Sequence, residues 1–290
     1  MILGALEAGG TKMVCSIGTP AGEVVEQASF PTASPEETMP QILGFFEGAQ
    51  VDAVGIGCFG PLDLNPASPT YGSITSTPKL QWRDYPILSV MRDRLGVPAA
   101  IDTDVNAAAL AEATLGAAKG LSSCLYVTIG TGVGGGLMIG GKLVHGLVHP
   151  EFGHMLLRVE ADDPLPRGVC PYHDGCLEGL AAGPSLEKRW GKKGYELAPD
   201  HPAWDLEARY LAQMCVNAIL SFSPEKIVLG GGVMQQKHLF APIHARVKEL
   251  LGGYVQHPMI LQHIEDYIVE PGLGTRSGVT GALLLARDAQ

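Results

Sequence analysis

The stretch Cys170-Pro-Tyr-His-Asp-Gly-Cys176 holds two of the chain's six cysteines and one of its nine histidines within seven positions. Cys170, His173 and Cys176 are donors of the kind zinc takes, and tetrahedral coordination asks for a fourth. A disulfide between the two cysteines is the other reading, and a reducing compartment disfavours it. Three glycine-rich stretches carry a different chemistry. Gly9-Gly10-Thr11-Lys12 and Gly130-Thr131-Gly132 combine backbone N–H groups with hydroxyls and, at Lys12, a positive charge, the composition of a phosphate-binding turn. Such a site needs a cation to bridge phosphate oxygens. Glu7, two residues before the first glycine pair, is the carboxylate placed to act on it through Mg2+-bound water. The run Val-Leu-Gly230-Gly231-Gly232-Val-Met offers flat backbone against which a nucleoside can lie.

The segment Ile101-Asp-Thr-Asp-Val-Asn places Asp102 and Asp104 where an apolar run gives way to an alanine-rich one. An aspartate at such a junction is commonly a helix N-cap, but two of them cannot be the same cap. Phosphoryl transfer to a sugar hydroxyl needs a base within hydrogen-bond reach of that hydroxyl, and Asp104 is the candidate. The turn Gly130 to Gly135 also matches G-x-G-x-x-G, with Glu151 near the distance expected of a ribose-binding acid. A dinucleotide turn must open a helix, however. Here apolar runs broken by Gly140-Gly141 follow, which predicts a hairpin and argues against a dehydrogenase.

The elements that must position these residues follow from the patterning. Residues 2–27 alternate apolar runs with glycine turns, predicting a hairpin or meander. A helix is expected over Pro35 to Ala49, a buried strand within 51–61, and a long Pro, Ser and Thr-rich loop over 62–82. Lys79, Trp82 and Arg83 end that loop, and composition alone reads them as a solvated face with one packed tryptophan. A helix closed by Gly96 comes next, then a strand running into a helix closed by Gly116. The opening pattern recurs at 124–146, about 120 residues later, and predicts a duplicated α/β architecture of two lobes. The division expected is 1–115 for a smaller lobe, with the helix of 276–290 packing back on it, and 116–275 for a larger one.

Composition narrows the function. A formal net charge of −10, with no dense basic run among 20 Lys and Arg, argues against nucleic acid. No uncharged apolar run reaches the ~20 residues of a membrane span, and the first residues lack the pattern of a signal peptide, so a cytoplasmic enzyme is expected. Cys15, Cys58, Cys124 and Cys215 lie in apolar runs and are expected to pack as small hydrophobes.

Taken together, "LEAGGTK", "CFGPLDLN", "STPKLQW", "DTDVNAAALAE", "TIGTGVGGG", "HPEFGH", "CPYHDGCLEGLAAGPS" and "LGGGVM" resemble a bacterial ROK-family sugar kinase, most closely its fructokinase branch. The resemblance covers essentially the whole chain. It implies an actin-like (ribonuclease H-like, duplicated) two-lobed ATPase fold, a hexose substrate with fructose favoured, ATP, catalytic Mg2+, structural Zn2+ and a homodimer. Carried onto this sequence, it makes Asp104 the base and puts Glu151, His154, Glu178 and Thr103 at the sugar. It adds Pro184 to the nucleotide residues, and it supplies His154 as the fourth zinc ligand. Two positions depart from the broader family: Glu7 replaces an aspartate and Thr103 an asparagine, changes the fructokinase branch shares. Kinases for mannose or glucose, a non-catalytic sugar-binding member and a sugar-responsive repressor are the alternatives. The repressor would carry an added DNA-binding domain, and the acidic charge argues against it.

Overall fold

Short runs rich in Val, Ile, Leu and Gly, too brief for helices and bounded by turns, form the strands of two mixed sheets in the computed structural model, which describes all 290 residues. In the first unit, β1 (Leu3–Ala8), β2 (Lys12–Gly18) and β3 (Val24–Pro31) form an antiparallel meander. Helix α1 (Pro35–Ala49) leads to β4 (Ala53–Cys58), and α2 (Ile87–Leu95) to β5 (Ala99–Thr103), which runs directly into α3 (Asp104–Thr114). The sheet order is β3-β2-β1-β4-β5, with β1, β4 and β5 parallel. A core of Leu6, Met13, Ile42, Phe46, Ile56 and Met91 packs α1 and α2 against the sheet. A second cluster, Leu3, Ala5, Ala53, Val279, Ala282 and Leu283, buries the C-terminal helix Ser277–Asp288. Its contact is close because Gly55 has no side chain: a Cβ there would overlap the Ala282 backbone.

The second unit repeats this plan. Strands β6 (Cys124–Ile129) and β7 (Val133–Ile139) make a hairpin; the two-residue β8 (Lys142–Leu143), next in the chain, lies outside this unit. Helices α4 (Leu177–Ala181), α5 (Gly183–Trp190) and α6 (Ala203–Phe222) intervene before β9 (Ile227–Gly230). Then come α7 (Phe240–Leu251) and β10 (Ile268–Val269). Strands β6, β9 and β10 are parallel, so β7-β6-β9-β10 matches β2-β1-β4-β5 in order and direction. The hairpin expected after Gly130 is therefore present, and no helix opens there.

The chain divides by internal contact into residues 1–116, 142–150 and 276–290, and residues 117–141 and 151–275. Residues 142–150, which the sequence division placed with the larger lobe, thus belong to the first unit. Gly96 closes α2 with φ 67°, as its position suggests. Gly116 does not close α3 in that way: Leu115 is the C-cap, and the space of a Gly116 side chain is taken by Glu112. Cys15, Cys58, Cys124 and Cys215 form no disulfide and are fully buried. No helix is long and apolar enough to cross a membrane.

Candidate active site and metal centre

In the first unit the β1–β2 turn is built by backbone bonds. The Gly9 N–H donates to the Lys12 carbonyl at 3.0 Å, Thr32 Oγ1 donates to the Gly9 carbonyl at 2.8 Å, and the Thr32 N–H donates to the Thr11 carbonyl at 3.0 Å. This bracing leaves Gly10, Thr11 and Lys12 exposed at the tip. Glu7, near the end of β1, is half-buried, and desolvation pushes its carboxyl above the ordinary range against the pull of Lys12. A Cβ on Gly278 would lie 2.6 Å from Glu7 Oε1, so glycine in the first turn of the C-terminal helix lets the carboxylate pack there without shifting. A single half-buried carboxylate beside an exposed glycine turn fits Mg2+, which is commonly held by one or two carboxylates together with substrate phosphates.

At the β5–α3 corner neither aspartate is the cap. Thr103 is the N-cap, its hydroxyl oxygen accepting the Asn106 N–H at 3.1 Å, and it is 4% exposed. Thr103, expected at the sugar, therefore spends one acceptor position of its hydroxyl on the helix start and keeps its O–H as a donor. Asp102 is also buried, and its Oδ1 accepts the Thr103 N–H and the Asn106 Nδ2 amide, both at 2.8 Å. Asp104 is half-buried at the first position of α3, and its Oδ1 accepts the Val105 N–H at 2.9 Å.

Two histidines in residues 142–150 were not singled out by sequence, because a lone histidine in a loop carries no spacing signal. His145 Nε2 lies 2.8 Å from Asp102 Oδ2, and that hydrogen bond raises the imidazole above its ordinary range in spite of partial burial. His149 Nε2 accepts the Leu62 N–H at 2.9 Å. Burial lowers its basicity and so favours the neutral ring that this bond requires. The corner that carries Asp104 is thus tied to the segment that leads directly into Glu151.

In the second unit, a cavity of about 480 Å3 is lined by Gly130, Thr131, Pro184, Gly232, Val233 and Gln236, together with Lys193 and Tyr195. That volume suits a small ligand with an apolar body and few polar groups. The Gly183 N–H donates to the Gly130 carbonyl at 2.8 Å, which docks α5 on the second glycine turn. The three glycines of 230–232 divide their work. Gly232 lines the cavity; Gly231, at φ 90°, sits where a side chain would overlap Ile129 backbone; a Gly230 Cβ would meet the Tyr126 hydroxyl at 2.9 Å. Gly132 does not line the cavity, its side-chain space being taken by Glu178 Oε2 at 2.7 Å. Lys193, Tyr195 and Gln236 escaped the sequence reading because they sit in short turns with no pattern of their own.

The metal-type residues do converge. Donor atoms of His154, Cys170, His173 and Cys176 all lie within 4.8 Å of one another. His154 Nδ1 is 3.8 Å from both sulfurs, and His173 Nδ1 is 3.6 Å from Cys170 Sγ. Tetrahedral zinc with ordinary bond lengths sets N···S edges at about 3.6 Å, so the donor set fits Zn2+. Burial pushes the Cys176 thiol up to about 11, a shift that a bound cation reverses. Cys176 also caps α4, with its sulfur accepting the Gly179 N–H at 3.3 Å. The first turn of α4 carries Glu178, whose Oε2 accepts the Val133 N–H at 3.0 Å. Desolvation, then the neighbouring Glu178 carboxylate, raises Glu151. Cluster, cap, Glu178 and second glycine turn therefore form one connected assembly.

Comparison with known proteins agrees with this geometry. The model of the ROK family matches residues 3–289. The fructokinase of Pediococcus pentosaceus is 47% identical over 100% of this chain and 99% of its own length. The ROK hexokinase of Thermus thermophilus is 30% identical with a TM-score of 0.79, over 99% of this chain and 98% of that one. A ROK family glucokinase from Streptomyces griseus, solved with glucose and AMPPNP, is 26% identical with a TM-score of 0.80, over 99% and 100%. With two units of one duplicated α/β topology, glycine turns at equivalent hairpins and matches along its full length, the chain belongs to the ROK family.

Proposed function

We propose that the protein is an ATP-dependent hexose kinase that transfers the γ-phosphoryl group of ATP to D-fructose, forming fructose 6-phosphate and ADP. The observation that carries this reading is Asp104, a half-buried carboxylate at a helix start whose neighbours Asp102, Thr103 and Asn106 are all engaged in holding the corner. Fructose is favoured because relatives at 39–47% identity, among them those of Pediococcus pentosaceus and Lactococcus lactis, are named fructokinases.

Asp104 accepts the proton of the attacking hydroxyl as its oxygen bonds to phosphorus and the bridging bond to ADP breaks. Glu151 and Glu178 accept hydrogen bonds from sugar hydroxyls. His154 serves them with Nε2, since its Nδ1 faces the two sulfurs. The nucleoside lies in the cavity of the second unit, against Gly232 and Pro184, with Gly130 and Thr131 toward its phosphates. Gly9, Gly10, Thr11 and Lys12 offer further phosphate contacts. Glu7 is the residue that would hold Mg2+, which would supply neutralisation of phosphate charge. His154, Cys170, His173 and Cys176 would hold Zn2+, and four protein ligands would make that ion structural rather than catalytic. The working form is a cytoplasmic homodimer, for which light scattering is the direct check.

An ADP-release assay with Mg-ATP against fructose, mannose, glucose and N-acetylmannosamine tests the reading. Fructose turnover is expected, and Asp104→Asn is expected to lower it by roughly 10²- to 10⁴-fold, the range of a lost general base. Turnover of another hexose alone would move the substrate, and no turnover by folded, zinc-loaded protein would overturn the kinase reading.

A further inference from the structure

Lys79 ends the long loop that sequence left without a role, and the structure fixes that loop firmly. Trp82 is 1% exposed; its Nε1 donates to the Ala33 carbonyl at 2.6 Å, and its ring meets Phe59 and Tyr85 edge-on at 6.1 and 5.2 Å. Thr77 is equally buried, and its hydroxyl oxygen accepts the Lys79 N–H at 3.3 Å. The Trp82 N–H in turn donates to the Lys79 carbonyl at 2.8 Å. Lysine 79 is therefore anchored at its backbone from both sides.

Its side chain reaches the β1–β2 turn. Lys79 Cε lies 3.3 Å from the point a Gly10 Cβ would occupy, which brings the ammonium, one bond further on, close to exposed Gly10. The side chain is half-buried, and no carboxylate forms an ion pair with it. Lys12, the other cation of the turn, has Glu7 as its charge neighbour. The turn thus carries one positive charge with no anion of its own. A partly desolvated ammonium is costly unless an anion meets it, and the groups it adjoins are those of a phosphate-binding turn.

We propose that Lys79 is a further catalytic residue, contacting the transferring phosphoryl group of ATP at the first glycine turn and neutralising charge that grows there during transfer. This deepens the kinase reading and rests on it. The competing role is packing, with the lysine stem merely covering Gly10. Lys79→Met keeps the stem and removes the charge, so it separates the two.

The variant is expected to fold with an unchanged melting temperature and to lose roughly 100-fold in kcat, the scale of one removed stabilising donor, with the KM for fructose unchanged. Calorimetry is expected to show weaker binding of Mg2+ and the β,γ-imido analogue of ATP, with AMP binding retained. Lys79→Arg is expected to restore part of both. Wild-type kcat in Lys79→Met, or equal loss of AMP and triphosphate binding, would overturn the proposal. Absence of turnover in the wild type would overturn the kinase reading instead, and the calorimetric comparison would still decide whether Lys79 meets the terminal phosphate.

Discussion

Glu207 shows how burial alone sets the chemistry of a side chain. It is 1% exposed on α6, neither carboxylate oxygen has a hydrogen-bond partner, and desolvation raises its pKa well above the ordinary value, against the pull of Arg189 and helped by Asp163. A carboxyl whose folded pKa is raised supports the fold fully below its unfolded value near 4.5 and loses that contribution as pH rises through the folded value. Glu207→Gln imitates the neutral acid. The variant's melting temperature, compared with the wild type from pH 4 upward, is therefore expected to show an advantage that widens as pH rises. A constant difference across that range would mean that Glu207 is not titrating in this way. Asp104 stands at the opposite pole, half-buried at a helix start, the setting in which the proposed base would act.

Helix α5 is the element on which the cavity of the second unit depends, since Gly183, Pro184, Leu186 and Glu187 all line it. Its other face is held by a fully buried ion pair. Arg189 Nε and Nη2 donate to the Asp163 carboxylate at 2.8 and 3.0 Å, and Nη2 also donates to the Leu180 carbonyl. Burial works against the charge of Asp163, but the Tyr210 hydroxyl and Arg189 outweigh it and keep the acid below its usual range. Asp163 lies in the loop between His154 and Cys170, so one pair fastens that loop to the helix. Breaking a buried pair by removing one partner costs about 3–5 kcal/mol. Arg189→Met is expected to lose stability on that scale in urea unfolding and to weaken ADP binding. Replacing both partners with apolar residues is expected to recover much of the stability. No recovery in the double variant would show that the hydrogen bonds to Leu180 and Tyr210, rather than charge compensation, carry the effect.

For the whole molecule the sharpest test is the metal. If zinc holds the loop that carries Glu151 and Glu178, chelation is expected to lower the melting temperature and the fructose turnover together, with metal content followed by atomic absorption. Full stability and activity in a zinc-free sample would leave the cluster without a structural role. Much of this molecule was legible in the residues themselves. The glycine turns, the duplicated hairpin, the Asp104 segment and three close-set Cys and His donors are local patterns, and local patterns reflect backbone freedom and donor chemistry that need only neighbouring residues. Which aspartate caps α3 was not legible, because Thr103, Asp102 and Asp104 all have the chemistry for it, and only the packed corner chose Thr103. The partners of Asp102, Lys79 and Arg189 were beyond reach for a related reason. His145, Gly10 and Asp163 lie 43, 69 and 26 residues away. Pairings across such separations depend on where whole strands and helices bring the chain together, and that is a property of tertiary packing rather than of any stretch of sequence.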